Sequence, residues 1–211
     1  MRFTFFLMVR SALIALLLLA AAPAMAERTI MVFGDSLAAA YGLSPAQGWV
    51  SLIAERIEKA RLPWKIANAS ISGETTAGGL RRLPADLKHH QPAIVVIELG
   101  ANDGLRGQPV AAIRANLEKM IRLTREAHAE PVLVGIMIPP NYGIDYAREF
   151  RDVYAALAAK HKVAFVPFLL EGIADKRELF QPDQVHPTAA AQPLVVDNVW
   201  PVLEPLLKKA R

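Results

Sequence analysis

Five short apolar or β-branched runs punctuate the chain, at residues 29–33, 65–69, 93–99, 132–138 and 163–166, and each reads as a strand. Ile94-Val95-Val96-Ile97 and Val132-Leu133-Val134 are continuous rather than alternating, the pattern of strands covered on both faces. Between the runs lie longer amphipathic stretches that predict helices over 49–60, 110–129, 146–162 and 188–207. In the second, Val110, Ile113, Leu117, Ile121 and Thr124 recur at three- and four-residue spacing, with Met120 one step off, and so share one helix face. Alternating strands and helices imply a parallel sheet with right-handed crossovers. The expected fold is therefore α/β: a doubly wound, three-layer α/β/α sandwich on a five-stranded parallel sheet. At 211 residues the chain suits one domain, and it shows no internal repeat, low-complexity tract or interdomain linker.

The first residues break this rhythm. Residues 1–10 carry Arg2 and Arg10, residues 11–22 are almost wholly apolar, and Ala24-Met25-Ala26 has the small-x-small pattern read by signal peptidase. The apolar run is shorter than the roughly 20 residues of a spanning helix. The chain thus predicts a signal peptide over 1–26, cleaved after Ala26, and a domain over 27–211. Secretion follows, periplasmic in a Gram-negative source, with no stable membrane anchor after cleavage. The formal charge of +4 includes the two leader arginines, so the remainder carries about +2, with no polybasic patch for nucleic acid or lipid headgroups. The absence of cysteine excludes a disulfide framework, a thiolate nucleophile, cysteine-ligated zinc and a lipoprotein attachment site.

Gly34-Asp35-Ser36-Leu37 ends the first strand. In an open α/β sheet the carboxyl ends of the strands line the ligand crevice, so Ser36 stands where a nucleophile can work; turning the chain and capping a helix is the alternative. Residues 71–79, after the second strand, hold three glycines whose backbone amides can approach an anion closely, unless the stretch is an ordinary connection. Asn102, in Gly100-Ala101-Asn102-Asp103-Gly104 after the third strand, lies on the same rim with a carboxamide that donates twice, or else is a turn residue. Donors on two rims flanking one serine are what an oxyanion hole needs. In Pro182-Asp183-Gln184-Val185-His186-Pro187 the three-residue spacing lets Asp183 accept from Nδ1 of His186 and leaves Nε2 for Ser36. The alternative is that the same pair contributes two metal ligands, but a catalytic zinc usually has three protein ligands and the adjacent sequence offers no third. No metal or other cofactor is expected. His89, His90, His128 and His161 fall in or beside helical stretches among polar neighbours and read as surface residues.

Four blocks in order carry a resemblance over essentially the whole domain: Gly34-Asp35-Ser36-Leu37, Asn68-Ala69-Ser70-Ile71-Ser72-Gly73-Glu74-Thr75, Glu98-Leu99-Gly100-Ala101-Asn102-Asp103-Gly104-Leu105-Arg106-Gly107 and residues 183–187. Through them the chain resembles the SGNH (GDSL) hydrolases, and within them the bacterial periplasmic branch of acyl-CoA thioesterases, arylesterases and lysophospholipases. The resemblance implies Ser36 as nucleophile, His186 as general base and Asp183 as its orienter. It further implies an oxyanion hole from the Ser36 and Gly73 N–H groups and the Asn102 side chain. Pro140-Asn141-Tyr142-Gly143 matches a loop bordering the substrate groove in that branch, so Glu74, Thr75, Asn141 and Tyr142 are expected to contact substrate. The chain departs from the family at Gln184 and Ala40, where glycine is usual. Because Gly34-Asp35-Ser36-Leu37-Ala38 is not Gly-x-Ser-x-Gly, the fold implied is flavodoxin-like rather than α/β-hydrolase.

These readings converge on a secreted serine esterase and thioesterase acting on a small-molecule acyl substrate, with no protein partner inferred. Two alternatives stand beside it: a carbohydrate or cell-wall O-acetyl esterase with the same three residues, and a non-catalytic ligand-binding α/β module. The second lacks both the Gly-x-Gly-x-x-Gly and the Gly-Lys-Ser/Thr phosphate signatures.

Overall fold

The computed structural model describes residues 27–209, so the expected signal peptide lies outside the described residues. Five strands, β1 (Arg28–Gly34), β2 (Trp64–Asn68), β3 (Ile94–Glu98), β4 (Glu130–Val134) and β5 (Ala164–Val166), form one sheet in the order β2-β1-β3-β4-β5. Every adjacent pair is parallel. This is the flavodoxin-like order. The β-branched runs become strands because both faces are covered: Ile30, Met31, Phe33, Val95, Ile97, Val132 and Leu133 are all fully buried, each contributing about 1.5–3 kcal/mol of apolar transfer.

The described residues form six α-helices: α1 (Trp49–Lys59), α2 (Thr76–His90), α3 (Ala101–Leu105), α4 (Val110–Glu126), α5 (Ile144–His161) and α6 (Gln192–Lys209). α1 and α6 pack together on one face, and α2, α4 and α5 line the other. On α4 the buried residues are Val110, Ile113, Leu117, Met120, Ile121 and Thr124, the face expected from the spacing. The chain leaves β1 toward α1 and leaves β3 toward the opposite layer, so a crevice opens between the carboxyl ends of these two neighbouring strands.

Two boundaries and one whole helix depart most from the pattern-based expectation. The fourth apolar run leaves the sheet after Val134 instead of continuing to 138, and Ile138 turns into the helix layer over Gly104. The last helix starts at Gln192, after a 3₁₀ turn over Ala189–Ala191, rather than at 188. α2 arises where no helix was expected, because Gly78, Gly79 and Pro84 lower its helical propensity. Packing overrides that propensity: Leu83 and Leu87 are buried, and Gly79 lies against Leu99 and Phe33 where a side chain would collide.

Candidate active site

β1 ends at Gly34, whose missing side chain leaves room for the Glu98 carboxyl; a Cβ there would lie 2.5 Å from Glu98 Oε2. No regular helix follows. Residues 36–40 form successive turns, and Ala40 adopts a left-handed φ of 56°, a conformation that glycine takes without strain. Four bonds brace the turn. Asp35 Oδ1 accepts from the Leu37 N–H (3.0 Å), and the Trp49 indole donates to the Leu37 carbonyl (3.0 Å). Asn68 Nδ2 donates to the Ala38 carbonyl (2.8 Å), and the Gly34 N–H donates to Ser70 Oγ (3.0 Å). Ser36 stands half-buried on this braced turn.

His186 arrives from the far end of the chain. The 179–188 segment closes on itself through the Gln181 N–H to the His186 carbonyl (2.8 Å) and the Thr188 N–H to the Leu179 carbonyl (2.7 Å). His186 Nε2 lies 2.8 Å from Ser36 Oγ, and His186 Nδ1 lies 2.7 Å from Asp183 Oδ2. Asp183 Oδ1 accepts the backbone N–H groups of Val185 (2.9 Å) and His186 (3.0 Å). Burial alone would raise the Asp183 carboxyl; the His186 and Val185 N–H groups and the imidazole outweigh it and hold the pKa at about 2. An imidazole oriented by a carboxylate that stays ionised can take the serine's proton during attack and return it to a leaving group.

Gly73, at a φ of 81°, lies in the exposed turn after β2 with open space around its Cα. Among the described residues, the N–H groups of Ser36 and Gly73 have no internal acceptor. Asn102 opens α3 on the same rim, but its carboxamide is not idle: Nδ2 donates to Asp35 Oδ2 (3.0 Å) and to the Glu74 carbonyl (3.0 Å). The expected substrate contacts divide. Thr75 caps α2, its Oγ1 accepting from the Gly78 N–H (3.1 Å), and Glu74 pairs with Arg82 (2.8 Å). Those side chains therefore hold the helix start, whereas Asn141 and Tyr142 stand exposed in the 3₁₀ turn Pro140–Tyr142.

Beneath the rim two carboxyls are fully buried. Burial lifts Asp35 to about 6, against the Leu37 N–H, the Asn102 amide and the His186 charge, which pull it down. Burial, with the Asp35 charge beside it, lifts Glu98 well above the ordinary range. Neither of these features, nor the Tyr41 ring lying on His186, was anticipated; glutamate ending an apolar run was the one available signal for Glu98. Elsewhere His89 and His128 are exposed, and His161 is half-buried against Glu118 (2.9 Å). Among the described residues no group of three His, Cys, Asp or Glu is arranged to hold a metal, and no helix is long and apolar enough to cross a membrane.

A family model described as the GDSL-like Lipase/Acylhydrolase family matches residues 32–193. The chain is 50% identical to "Esterase TesA" of Pseudomonas aeruginosa over 182 residues, 86% of this chain and 90% of that one. It is 39% identical to "Thioesterase 1/protease 1/lysophospholipase L1" of Escherichia coli K12 over 184 residues, 87% of each. The crystal structure of TesA superposes with a TM-score of 0.83, covering 85% of this chain and 99% of that one.

Proposed function

The chain belongs to the GDSL-like lipase/acylhydrolase family, the SGNH hydrolases, and from that premise we propose that it is an exported serine esterase and thioesterase. Ser36 is the nucleophile, His186 the general base, and Asp183 the carboxylate that orients the imidazole. The observation that carries this reading is the unbroken chain of contacts, 2.8 Å from Ser36 Oγ to His186 Nε2 and 2.7 Å from Nδ1 to Asp183, at the crevice between β1 and β3. As Ser36 Oγ forms its bond to the acyl carbon, its proton passes to His186 Nε2. The negative charge on the carbonyl oxygen meets the Ser36 and Gly73 N–H groups and the Asn102 amide. His186 then gives the proton to the departing alcohol or thiol, and water repeats the cycle on the acyl-enzyme.

The substrate is an acyl ester or thioester of the aryl ester, acyl-CoA or lysophospholipid type. Exposed Ile71 and Tyr142 in the loops after β2 and β4, Ile144 at the start of α5 and Val185 beside His186 offer apolar surface for an acyl chain. Export rests on the Arg2 and Arg10 charges, the apolar stretch after them and Ala24-Met25-Ala26, which favour a periplasmic site in a Gram-negative cell.

The test is active-site labelling. A serine-directed phosphonate adds one label, mapped by peptide mass spectrometry to Ser36, and Ser36→Ala is both unlabelled and inactive on aryl esters. Wild-type turnover by Ser36→Ala overturns the reading.

A further inference from the structure

Asp35 and Glu98 are each fully buried directly under the nucleophile turn, and no step of the proposed chemistry employs either. The Asp35 N–H donates to Glu98 Oε2 (3.3 Å), while among the described residues Glu98 Oε1 has no hydrogen-bond partner. The Asp35 side chain extends the other way, its Oδ1 on the Leu37 N–H and its Oδ2 on Asn102 Nδ2. We propose that Asp35, backed by Glu98, is a positioning residue: its carboxylate grips one N–H of the Asn102 amide so that the other can swing from the Glu74 carbonyl to the oxyanion. This rests on the assignment of Ser36 as nucleophile and Asn102 as oxyanion donor.

Both carboxyls lack water, and the Asp35 charge opposes ionisation of Glu98, so the two do not both ionise readily. The negative charge resides on Asp35, which has a backbone N–H and the Asn102 amide to stabilise it. Glu98 is supported by the backbone N–H groups of Asp35 and Ala38 and opposed by the Asp35 charge. It therefore keeps its proton and braces the turn without adding a second charge beneath the developing oxyanion. At Asn102 the two acceptors are unequal. A hydrogen bond to a carboxylate is roughly twice as strong as one to a neutral carbonyl, so the N–H on the Glu74 carbonyl is the one that leaves. Asp35 thereby fixes which end of the carboxamide points at the substrate.

The charged and titratable groups around Asp35 are Glu98 from β3, Asp103 from α3, Tyr154 from α5 and His186 from the loop before α6. Asp103 is itself held by the Thr76 N–H (2.8 Å) and Oγ1 (2.6 Å), and the Tyr154 hydroxyl donates to the Leu99 carbonyl (3.0 Å). Neither takes over the Asn102 contact. When Asp35 gains a proton it becomes a neutral, weaker acceptor, and the amide loses its anchor.

A double-mutant cycle tests the coupling. Asp35→Asn, Asn102→Ala and the double variant are compared in kcat and KM on a short aryl ester, with phosphonate titration counting competent Ser36. Asp35→Asn should lower kcat roughly 10- to 100-fold with KM within about threefold, and lower it at most about threefold further in the Asn102→Ala background. Losses that simply multiply overturn the role of Asp35. A turnover for Asn102→Ala within about threefold of wild type overturns the oxyanion assignment instead, and unlabelled wild-type Ser36 overturns the nucleophile.

A second measurement keeps Asp35 native. The side-chain ¹H–¹⁵N signals of Asn102, assigned by their loss in Asn102→Ala, are followed with pH in the full chain and in His186→Ala. Because the His186 charge holds Asp35 down, its removal should move the midpoint of the Asn102 titration upward. Signals that stop titrating in His186→Ala report the imidazole and sink the proposal.

Discussion

The Tyr41 ring lies on the imidazole of His186, with centroids 4.4 Å apart and planes inclined by 36°. The chain reaches this position through two left-handed residues, Ala40 (φ 56°) and Gly42 (φ 74°), and Gln181 Nε2 donates to the Tyr41 carbonyl (2.8 Å). One ring face of the His186 imidazole is thus covered by a half-exposed aromatic side chain from the turn that carries Ser36. The contact limits the imidazole's rotation about the axis from Ser36 to Asp183.

Removing that ring should cost activity without abolishing it. An aromatic pair contributes about 0.5–1.5 kcal/mol, so Tyr41→Ala should lower kcat/KM on aryl esters roughly two- to tenfold. Tyr41→Phe should stay near wild type, since among the described residues the hydroxyl makes no hydrogen bond. Equal losses in both variants would point to the hydroxyl rather than the ring face, and wild-type turnover in Tyr41→Ala would make the contact incidental.

The two aspartates of the site drive stability in opposite directions with pH. Asp183 falls from 3.8 to about 2 on folding, so its contribution is present above the ordinary carboxylate range and disappears as pH drops through about 2. It is partly exposed, and solvent screens the size of the effect. Asp35 rises from 3.8 to about 6, so the folded state favours its neutral form, and stability present below the ordinary value is lost as pH climbs to about 6. Thermal melts of wild type and Asp35→Asn should therefore diverge in wild type's favour as pH falls from about 7 to about 4, by up to about 3 kcal/mol. A difference independent of pH over that interval would show that Asp35 carries no raised pKa.

Gln184 follows Asp183 in a left-handed conformation, φ 57°, exposed to solvent. A side chain there costs about 1–2 kcal/mol over glycine in backbone strain, partly offset by glycine's greater freedom when unfolded. Gln184→Gly should raise stability by about 0.5–1 kcal/mol in chemical denaturation and leave kcat/KM within about twofold. The β-branched Gln184→Val should lower it. A destabilised Gln184→Gly would mean that the Gln184 Nε2 bond to the Gln181 carbonyl (3.3 Å) outweighs the strain.

Acyl selection should follow buried methylenes. kcat/KM on a series of aryl esters should rise from acetyl to medium-chain groups, up to about 0.8 kcal/mol for each methylene covered, and level once the apolar surface is full. Thioesters should be cleaved and ordinary peptide amides poorly, because an amide nitrogen must be protonated as it leaves. Preference for acetyl over every longer group would move the reading to a carbohydrate or cell-wall deacetylase.

What the sequence determined by itself is what short-range order carries. Continuous β-branched runs specify strands buried on both faces, and the spacing on α4 specifies its buried stripe, since periodicity is a property of neighbours along the chain. Asp183 and His186 stand three residues apart, so their pairing was legible without knowing the rest of the fold. Gly34-Asp35-Ser36 at a strand end marked the position of the serine in the same way.

The tertiary structure decided what depends on residues far apart in sequence. α2 forms despite Gly78, Gly79 and Pro84 because Leu83 and Leu87 bury against the sheet and Gly79 permits contact with Phe33 and Leu99; propensity is worth less than that burial. The contact between Ser36 and His186 spans 150 positions and exists because the sheet order sets β1 beside β3 and brings the segment before α6 to the same rim. The donors on Asn102, the company of Asp35 and Glu98, and the ring over His186 belong to this second kind. Hydrogen-bond partners and burial are fixed by distances across strands, and no local pattern encodes those distances.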